Sequence, residues 1–404
     1  MSLHSSADDE YDSDEPLELQ LDLAKLMDCA SAALRAPCTS AKRLTRGSWH
    51  EIFILQFEER DPTDLGADAP AASLAQAGFS CIARLARVKG DRGKEESEIA
   101  TISCLAEHTD LPVPEIYFWD LDPENDVGAA FVLMERLPGR HLHKIWDGLP
   151  YEHKEGVLAQ IASVVATFAS LKFDRIGSLG SGGLDPVFSP CWESPRGPFS
   201  STAEFLQSYI PADLVESREL AELYSQIRNK VNASVGHGDV PAHLRPPFVM
   251  IHADFDGQNM LFSQPEYGSA PQLTGLIDFE FAYAGLRYFL YEYPLFIQDV
   301  SWSKHLYTEN ALLRSHFVRE TYKQLPDPEE RSVFISAMNG KSFALNGFQS
   351  SLMTMKCSEE TLVELARYYL KDLNEDTGLA YSGRVDSTPE KYAETGEPLS
   401  NTRV

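Results

Sequence analysis

Apolar positions early in the chain recur mostly at every second residue, and later mostly at helical spacing. Leu23–Leu34 carries the first helical pattern. Lys42–Phe57 predicts a short polar strand, a Gly47-Ser48 turn and the alternating strand Glu51–Phe57. Phe79–Val88 predicts another strand, with Arg84 on the face of Ile82 and Ala86. After a polar turn over Lys89–Lys94, Glu95–Glu107 predicts a helix with Ile99, Ile102 and Leu105 on its apolar stripe and Glu98 in its first turn. Leu-Pro-Val-Pro at 111–114 ends it. Glu115–Asp120 and Ala129–Met134 predict two more strands, the second leaving through Glu135–Gly139. Beyond Tyr151 helices are predicted over His153–Leu171, in two pieces within Phe199–Val231 broken near Pro211, and over Phe289–Gln298, Ala311–Gln324, Glu329–Leu345 and Ser358–Leu373. Glu58–Gly78, Gly177–Pro198 and Gly236–Pro247 predict loops.

One stretch interrupts the helical half. Phe248–Ile251 is an apolar run that leads into His252, Asp254 and Asn259. A second run, Leu273–Ile277, leads into Asp278 and Glu280. The first run and the apolar residues after Asn259 flank a Gly-bearing turn, which predicts a hairpin or a closely paired loop.

Composition narrows the partners. With 404 residues the chain has room for two domains. A net charge of −26 and an isoelectric point near 4.8 argue against nucleic-acid binding and against an anionic membrane surface. The acidity suits a cationic small-molecule substrate or, more plainly, solubility. Six scattered cysteines without a Cys-x-x-Cys pair suit a reducing compartment and offer no zinc site. No apolar run reaches the length of a membrane span, and the acidic N-terminus is unlike a secretory signal, so the expected location is cytoplasmic.

The spacing His-x-Asp-x-x-x-x-Asn followed by Asp-Phe-Glu is that of a kinase catalytic loop and its metal-binding aspartate. Phosphoryl transfer needs a carboxylate that orients the attacking hydroxyl, here Asp254, and oxygen ligands for Mg²⁺, here the Asn259 amide and the Asp278 carboxylate. Taken alone, Asn259 could be a turn-former. Arg84 and Glu98 are candidates for the strand-to-helix ion pair that holds ATP phosphates, the alternative being two separate surface charges. Gly47 and Ser48 could turn backbone N–H groups toward phosphates, or form an ordinary hairpin turn. Backbone groups of Glu135 and Leu137 could bond an adenine ring.

Ile-His-Ala-Asp-Phe-Asp-Gly-Gln-Asn, the Ile-Asp-Phe-Glu strand end and the segment Leu-Met-Glu-Arg-Leu-Pro-Gly together resemble the aminoglycoside phosphotransferase and choline kinase family, in its fungal branch. The resemblance covers roughly Lys42 to Tyr293. It implies an α+β, protein-kinase-like two-lobe fold, with a small β-rich N-lobe over 23–138 and a larger helical C-lobe over 139–374. An acidic disordered tail (1–22) and a flexible C-terminal tail (375–404) would flank the lobes. It also implies ATP and Mg²⁺ as cofactors, Asp254 as catalytic base, Asn259 and Asp278 on the metal, His252 bracing the catalytic loop, and Glu280 lining the cleft. Three positions depart from the family pattern. Ala253 stands where Gly is usual, Arg84 where Lys is most frequent, and the glycine loop is short and carries Trp49. Nothing resembles the activation segment of protein kinases, which favours a small-molecule hydroxyl or amine-bearing substrate over a protein. The other expectation is a kinase-like binding module without catalysis.

Overall fold

The computed structural model describes residues 19–47, 49–58, 79–87, 92–189, 194–210, 217–235, 240–264, 268–298, 304–339 and 359–375. Most of both predicted tails, Ser48, the 59–78 connection, the helix break at Pro211 and residues 340–345 of a predicted helix lie outside them. The chain divides into two compact units, one formed by the chain up to Gly93 with Glu115–Arg136, the other by Lys94–Pro114 and everything from Leu137 on.

The first unit is built on α1 (Leu23–Leu34) and the antiparallel strands β1 (Cys38–Arg46), β2 (His50–Phe57), β3 (Ser80–Ala86), β4 (Ile116–Asp120) and β5 (Phe131–Glu135), in the order β1-β2-β3-β5-β4. Asp22 starts α1 by accepting the Lys25 N–H (3.0 Å), and Arg35 closes it in the left-handed region. Strand alternation decides the core. Phe53, Leu55 and Phe57 of β2, Cys81, Ala83 and Leu85 of β3, and Phe131 and Leu133 of β5 meet Leu26, Ala30 and Leu34 of α1. Each large side chain so buried contributes about 1.5–3 kcal/mol.

The second unit opens within α2 (Arg92–His108), from Lys94 on; the helix begins three residues before the predicted start. Lys94 therefore lies in the helix, not in a turn, and Glu98 in its second turn. Both side chains find buried partners, which outweighs the weak apolar patterning. The remaining elements are β6 (Arg140–His141), α3 (Tyr151–Ser170), β7 (Lys172–Phe173), β8 (Ser178–Gly180), β9 (Gly183–Asp185), α4 (Thr202–Ser208), α5 (Arg218–Val235), β10 (Phe248–Ile251), β11 (Met260–Phe262), β12 (Leu273–Leu276), β13 (Tyr283–Gly285), α6 (Arg287–Leu290), α7 (Tyr307–Gln324), α8 (Pro328–Asn339) and α9 (Glu359–Glu375). A salt bridge of 2.6 Å between Lys154 and Glu309 joins α3 to α7, and Arg367 pairs with Glu219 between α9 and α5. No helix among the described residues is long and apolar enough to cross a membrane.

Three expectations change. β10 and β11 do not pair as a hairpin: β10 lies between β13 and β7, and β11 between β12 and β6. Every residue of both strands is buried, so each needs a neighbour on both sides, which one shared hairpin could not supply. The predicted loop over Gly177–Pro198 holds the β8–β9 hairpin, whose three-residue strands are too short to show alternation. The predicted helix Phe289–Gln298 is only α6 followed by a 3-10 turn at Leu295–Ile297. Pro294 accounts for the break, because the residue before a proline is pushed out of helical geometry.

Candidate functional site

Two strand ends of the second unit build the site. β10 delivers the loop 252–259, and β12 delivers the segment 278–281. The loop folds on itself: the N–H of Asp256 donates to the Asp254 carbonyl (2.9 Å), and that of Asn259 to the Asp256 carbonyl (2.9 Å). The Asn259 side chain is buried, and its Nδ2 donates both to the Asp254 carbonyl (3.0 Å) and to Asp254 Oδ2 (2.8 Å). Two acceptors at that position fix the amide orientation, so Oδ1 is the atom left for another partner. Gln258 Nε2 donates to the same carboxylate oxygen of Asp254 (3.2 Å). Asp254 itself is half-buried. Its carboxylate is thus oriented by two amides of its own loop.

The two strand ends are tied together. The Ile277 N–H donates to the Asn259 carbonyl (3.1 Å), and His252 Nε2 donates to the Ile277 carbonyl (3.1 Å). A carbonyl only accepts, so His252 carries its proton on Nε2. Nδ1 is buried and has no hydrogen-bond partner among the described residues. Burial pushes the imidazole below its ordinary pKa, which keeps it neutral. Its ring lies 4.5 Å from that of Phe279. His252 Nε2 is thus bound to the strand end that precedes Asp278.

Ala253 (φ +65°) and Asp278 (φ +69°) are both left-handed. A non-glycine residue in that region costs about 1–2 kcal/mol, so the strain sits at the first residue past His252 and at the candidate metal carboxylate. Asp278 is half-buried. At the start of β12, Gln160 of α3 pins the strand: its Nε2 donates to the Pro271 carbonyl (2.9 Å) and its Oε1 accepts the Leu273 N–H (2.8 Å).

α2 reaches the segment after Asp278 twice. Lys94 Nζ lies 2.6 Å from Glu280 Oε2, with both side chains buried, and Glu98 Oε1 accepts the Phe279 N–H (3.2 Å). Lys94 escaped sequence reasoning because it stands 186 residues from Glu280 and no local pattern marks it. His141 escaped as well; its Nδ1 donates to the Gln258 carbonyl (2.6 Å), against the loop that carries Asp254.

Leu137 belongs to this unit and covers Gly275. Nearby, Gly139 has φ +118°, and a Cβ there would stand 2.4 Å from Thr274 Oγ1 and 2.8 Å from the Phe262 carbonyl, so only glycine fits. In the first unit Glu135 accepts the Glu115 N–H on Oε2 (3.2 Å), while its own N–H donates to the Glu115 carbonyl (2.8 Å). Gly47 has its N–H engaged by the His50 carbonyl (2.8 Å) and its carbonyl by Arg87 Nη1 (2.5 Å). Arg84 is buried in β3, with Nη2 2.8 Å from His50 Nδ1. Guanidinium only donates, so His50 Nδ1 accepts there.

A five-stranded antiparallel sheet unit, a helical unit, and a catalytic-type loop followed by an Asp-Phe-Glu strand end define a protein-kinase-like fold. A crystal structure from Ralstonia eutropha, named as a putative aminoglycoside phosphotransferase, shares this fold with a TM-score of 0.50, 15% identity, and coverage of 88% of this chain and 99% of that one. The sequence model of the Phosphotransferase enzyme family matches residues 72–289, more than half of the chain, and the chain belongs to that family. A subtelomeric hrmA-associated cluster protein of Aspergillus fumigatus is 28% identical over 142 residues, 35% of this chain and 25% of that protein. The altered inheritance of mitochondria protein 9 of Zygosaccharomyces rouxii is 29% identical over 114 residues, 26% of this chain and 17% of that protein. The chain thus spans about a quarter or less of the length of these curated relatives.

Proposed function

We propose that this protein transfers a phosphoryl group from ATP, with Mg²⁺, to a hydroxyl of a small molecule. The observation that carries the reading is the Asp254–Asn259 pair, held by its own loop and tied through Ile277 to the strand end that bears Asp278. The donor set suits Mg²⁺: a hard cation takes oxygen ligands, and Asn259 Oδ1 and the Asp278 carboxylate supply them. Bound Mg·ATP would supply the transferable phosphoryl group and neutralise its charge. Asp254 holds the acceptor hydroxyl and takes its proton as the oxygen bonds to phosphorus. As the family resemblance implies, Arg84 and Glu98 would orient the phosphates. Because the Glu135 N–H is already engaged, an adenine contact there falls to its carbonyl, with Leu137 as the second backbone contact. A net charge of −26 favours a cationic acceptor.

The second reading, a kinase-like binding module without catalysis, is favoured by the Gly47 N–H being spent inside its turn. One set of measurements separates the two. Thermal shift with ATP and Mg²⁺, together and singly, is followed by ADP release against a panel of small alcohols and amino alcohols. Stabilisation that needs both ligands and disappears in Asp278→Ala is expected. Asp254→Ala should keep that stabilisation but lose turnover by about 10²–10⁴-fold. Full turnover in Asp254→Ala would remove it from the chemistry. Binding without turnover on any acceptor would favour the module.

A further inference from the structure

The face of α2 that reaches the Asp278 segment is built against its own stability. Lys94, Ser97, Glu98 and Thr101 are all at most 3% exposed. The hydroxyls of Ser97 and Thr101 are buried and have no hydrogen-bond partner among the described residues. Helices normally bury apolar side chains, and unpaired polar groups are costly inside. A buried ion pair gives little net stability compared with apolar packing. What the face does provide is position. Lys94 and Glu98, one turn apart on the helix, hold two consecutive residues, Glu280 by its carboxylate and Phe279 by its backbone N–H. The Lys94 ammonium also lies 5.3 Å from the centre of the Phe281 ring. The residue immediately before this gripped run is Asp278, in the left-handed region, which aspartate enters more often than most non-glycine residues but still uncommonly.

We propose that Lys94 and Glu98 are positioning residues, a clamp that fixes the segment 279–281 and so holds Asp278 in the conformation that binds the cation. Glu280 is the anchor of this clamp and not a ligand: its Oε2 is already matched by an ammonium at 2.6 Å. The inference rests on the phosphotransferase reading for its purpose, and on the contacts alone for the clamp itself.

The test compares wild type, Lys94→Met, Glu280→Gln and the double variant. Amide hydrogen exchange is resolved over 278–281, and calorimetry measures ATP binding with and without Mg²⁺. In Lys94→Met, exchange over 279–281 should rise while β10 and α3 keep their protection. The Mg²⁺-dependent gain in ATP affinity should fall about 10–100-fold, as for other supports of a metal ligand, and ATP affinity without Mg²⁺ should not change. The double variant should be no worse than Glu280→Gln, because both singles remove one contact. Lys94→Arg, which keeps the charge, should recover part of the loss. If Lys94→Met does not fold, Glu98→Ala should give the same local rise in exchange at Phe279. Unchanged exchange over 279–281 overturns the clamp. Loss of Mg²⁺-dependent affinity in Glu280→Gln but not in Lys94→Met also overturns it, since Glu280 would then be a ligand in its own right. A wild type that shows no Mg²⁺-dependent nucleotide binding would sink the phosphotransferase reading instead, and the exchange data would still judge the clamp.

Discussion

Glu280 and Glu330 are both buried carboxylates that face a lysine ammonium, and they hold different kinds of structure. Glu330, in the first turn of α8, pairs with Lys172 of β7 and lies 3.4 Å from Arg287 Nε of α6, while the Tyr291 hydroxyl donates to it at 2.6 Å. It joins a strand and two helices, and Tyr291 beside it is held far from ionising by burial and by that carboxylate. Glu280 meets Lys94 on one helix and sits two residues past a strained aspartate. The same chemistry serves as a joint of the fold in one place and as the support of a single conformation in the other. Burial and an opposite charge do not by themselves distinguish the roles; the neighbours do.

Variants can sharpen the contrast. The largest effect on stability is expected from Glu330→Ala, which strands a buried guanidinium and should cost about 3–5 kcal/mol. Denaturant unfolding should register it, with nucleotide affinity of the folded fraction unchanged. A selective loss of nucleotide binding there, with stability intact, would erase the distinction between the two carboxylates.

A smaller effect follows from His252. Its pKa is depressed in the fold, so between that value and the unfolded pKa of about 6.5 the unfolded chain binds more protons. Stability should therefore be lost as pH falls below about 6.5, before carboxylates begin to protonate near pH 5. His141 has the same sign, also through burial. Melting temperature followed over this window should slope for wild type and flatten in His252→Gln, whose amide can still donate to the Ile277 carbonyl. An unchanged slope would mean that His252 does not contribute.

Ala253→Gly should have the smallest effect. Removing the methyl relieves a left-handed strain of about 1–2 kcal/mol and adds about 0.5–1 kcal/mol of unfolded-state entropy. A net stabilisation of at most about 1.5 kcal/mol is expected by chemical denaturation. A clear destabilisation would mean that the methyl makes a contact that offsets the strain.

Much of this was legible in the chain because it is local. The helix Leu23–Leu34 falls where its apolar spacing predicts, between an Asp cap and a left-handed Arg35. The Glu51–Phe57 alternation became a largely buried interior strand, between β1 and β3. The candidate residues His252, Asp254, Asn259 and Asp278 stand in one contiguous stretch, and their spacing marks them. Other features had no local trace. Strands of two to four residues are too short for periodicity to show, so the separate partners of β10 and β11 and the β8–β9 hairpin came only from pairing across the fold. Pro294 overrode an apolar run that otherwise reads as helix. Lys94, Lys172 and Glu330 have no local mark of burial, and Glu98, expected as a partner of Arg84, accepts the Phe279 N–H; these partners stand far away in sequence. By itself the sequence determined the apolar periodicities and the order of the reactive residues, because both are set within a few positions along the backbone. The tertiary structure alone decided which strands are neighbours and which charges are buried, because those depend on closing loops of tens to hundreds of residues, for which no spacing rule exists.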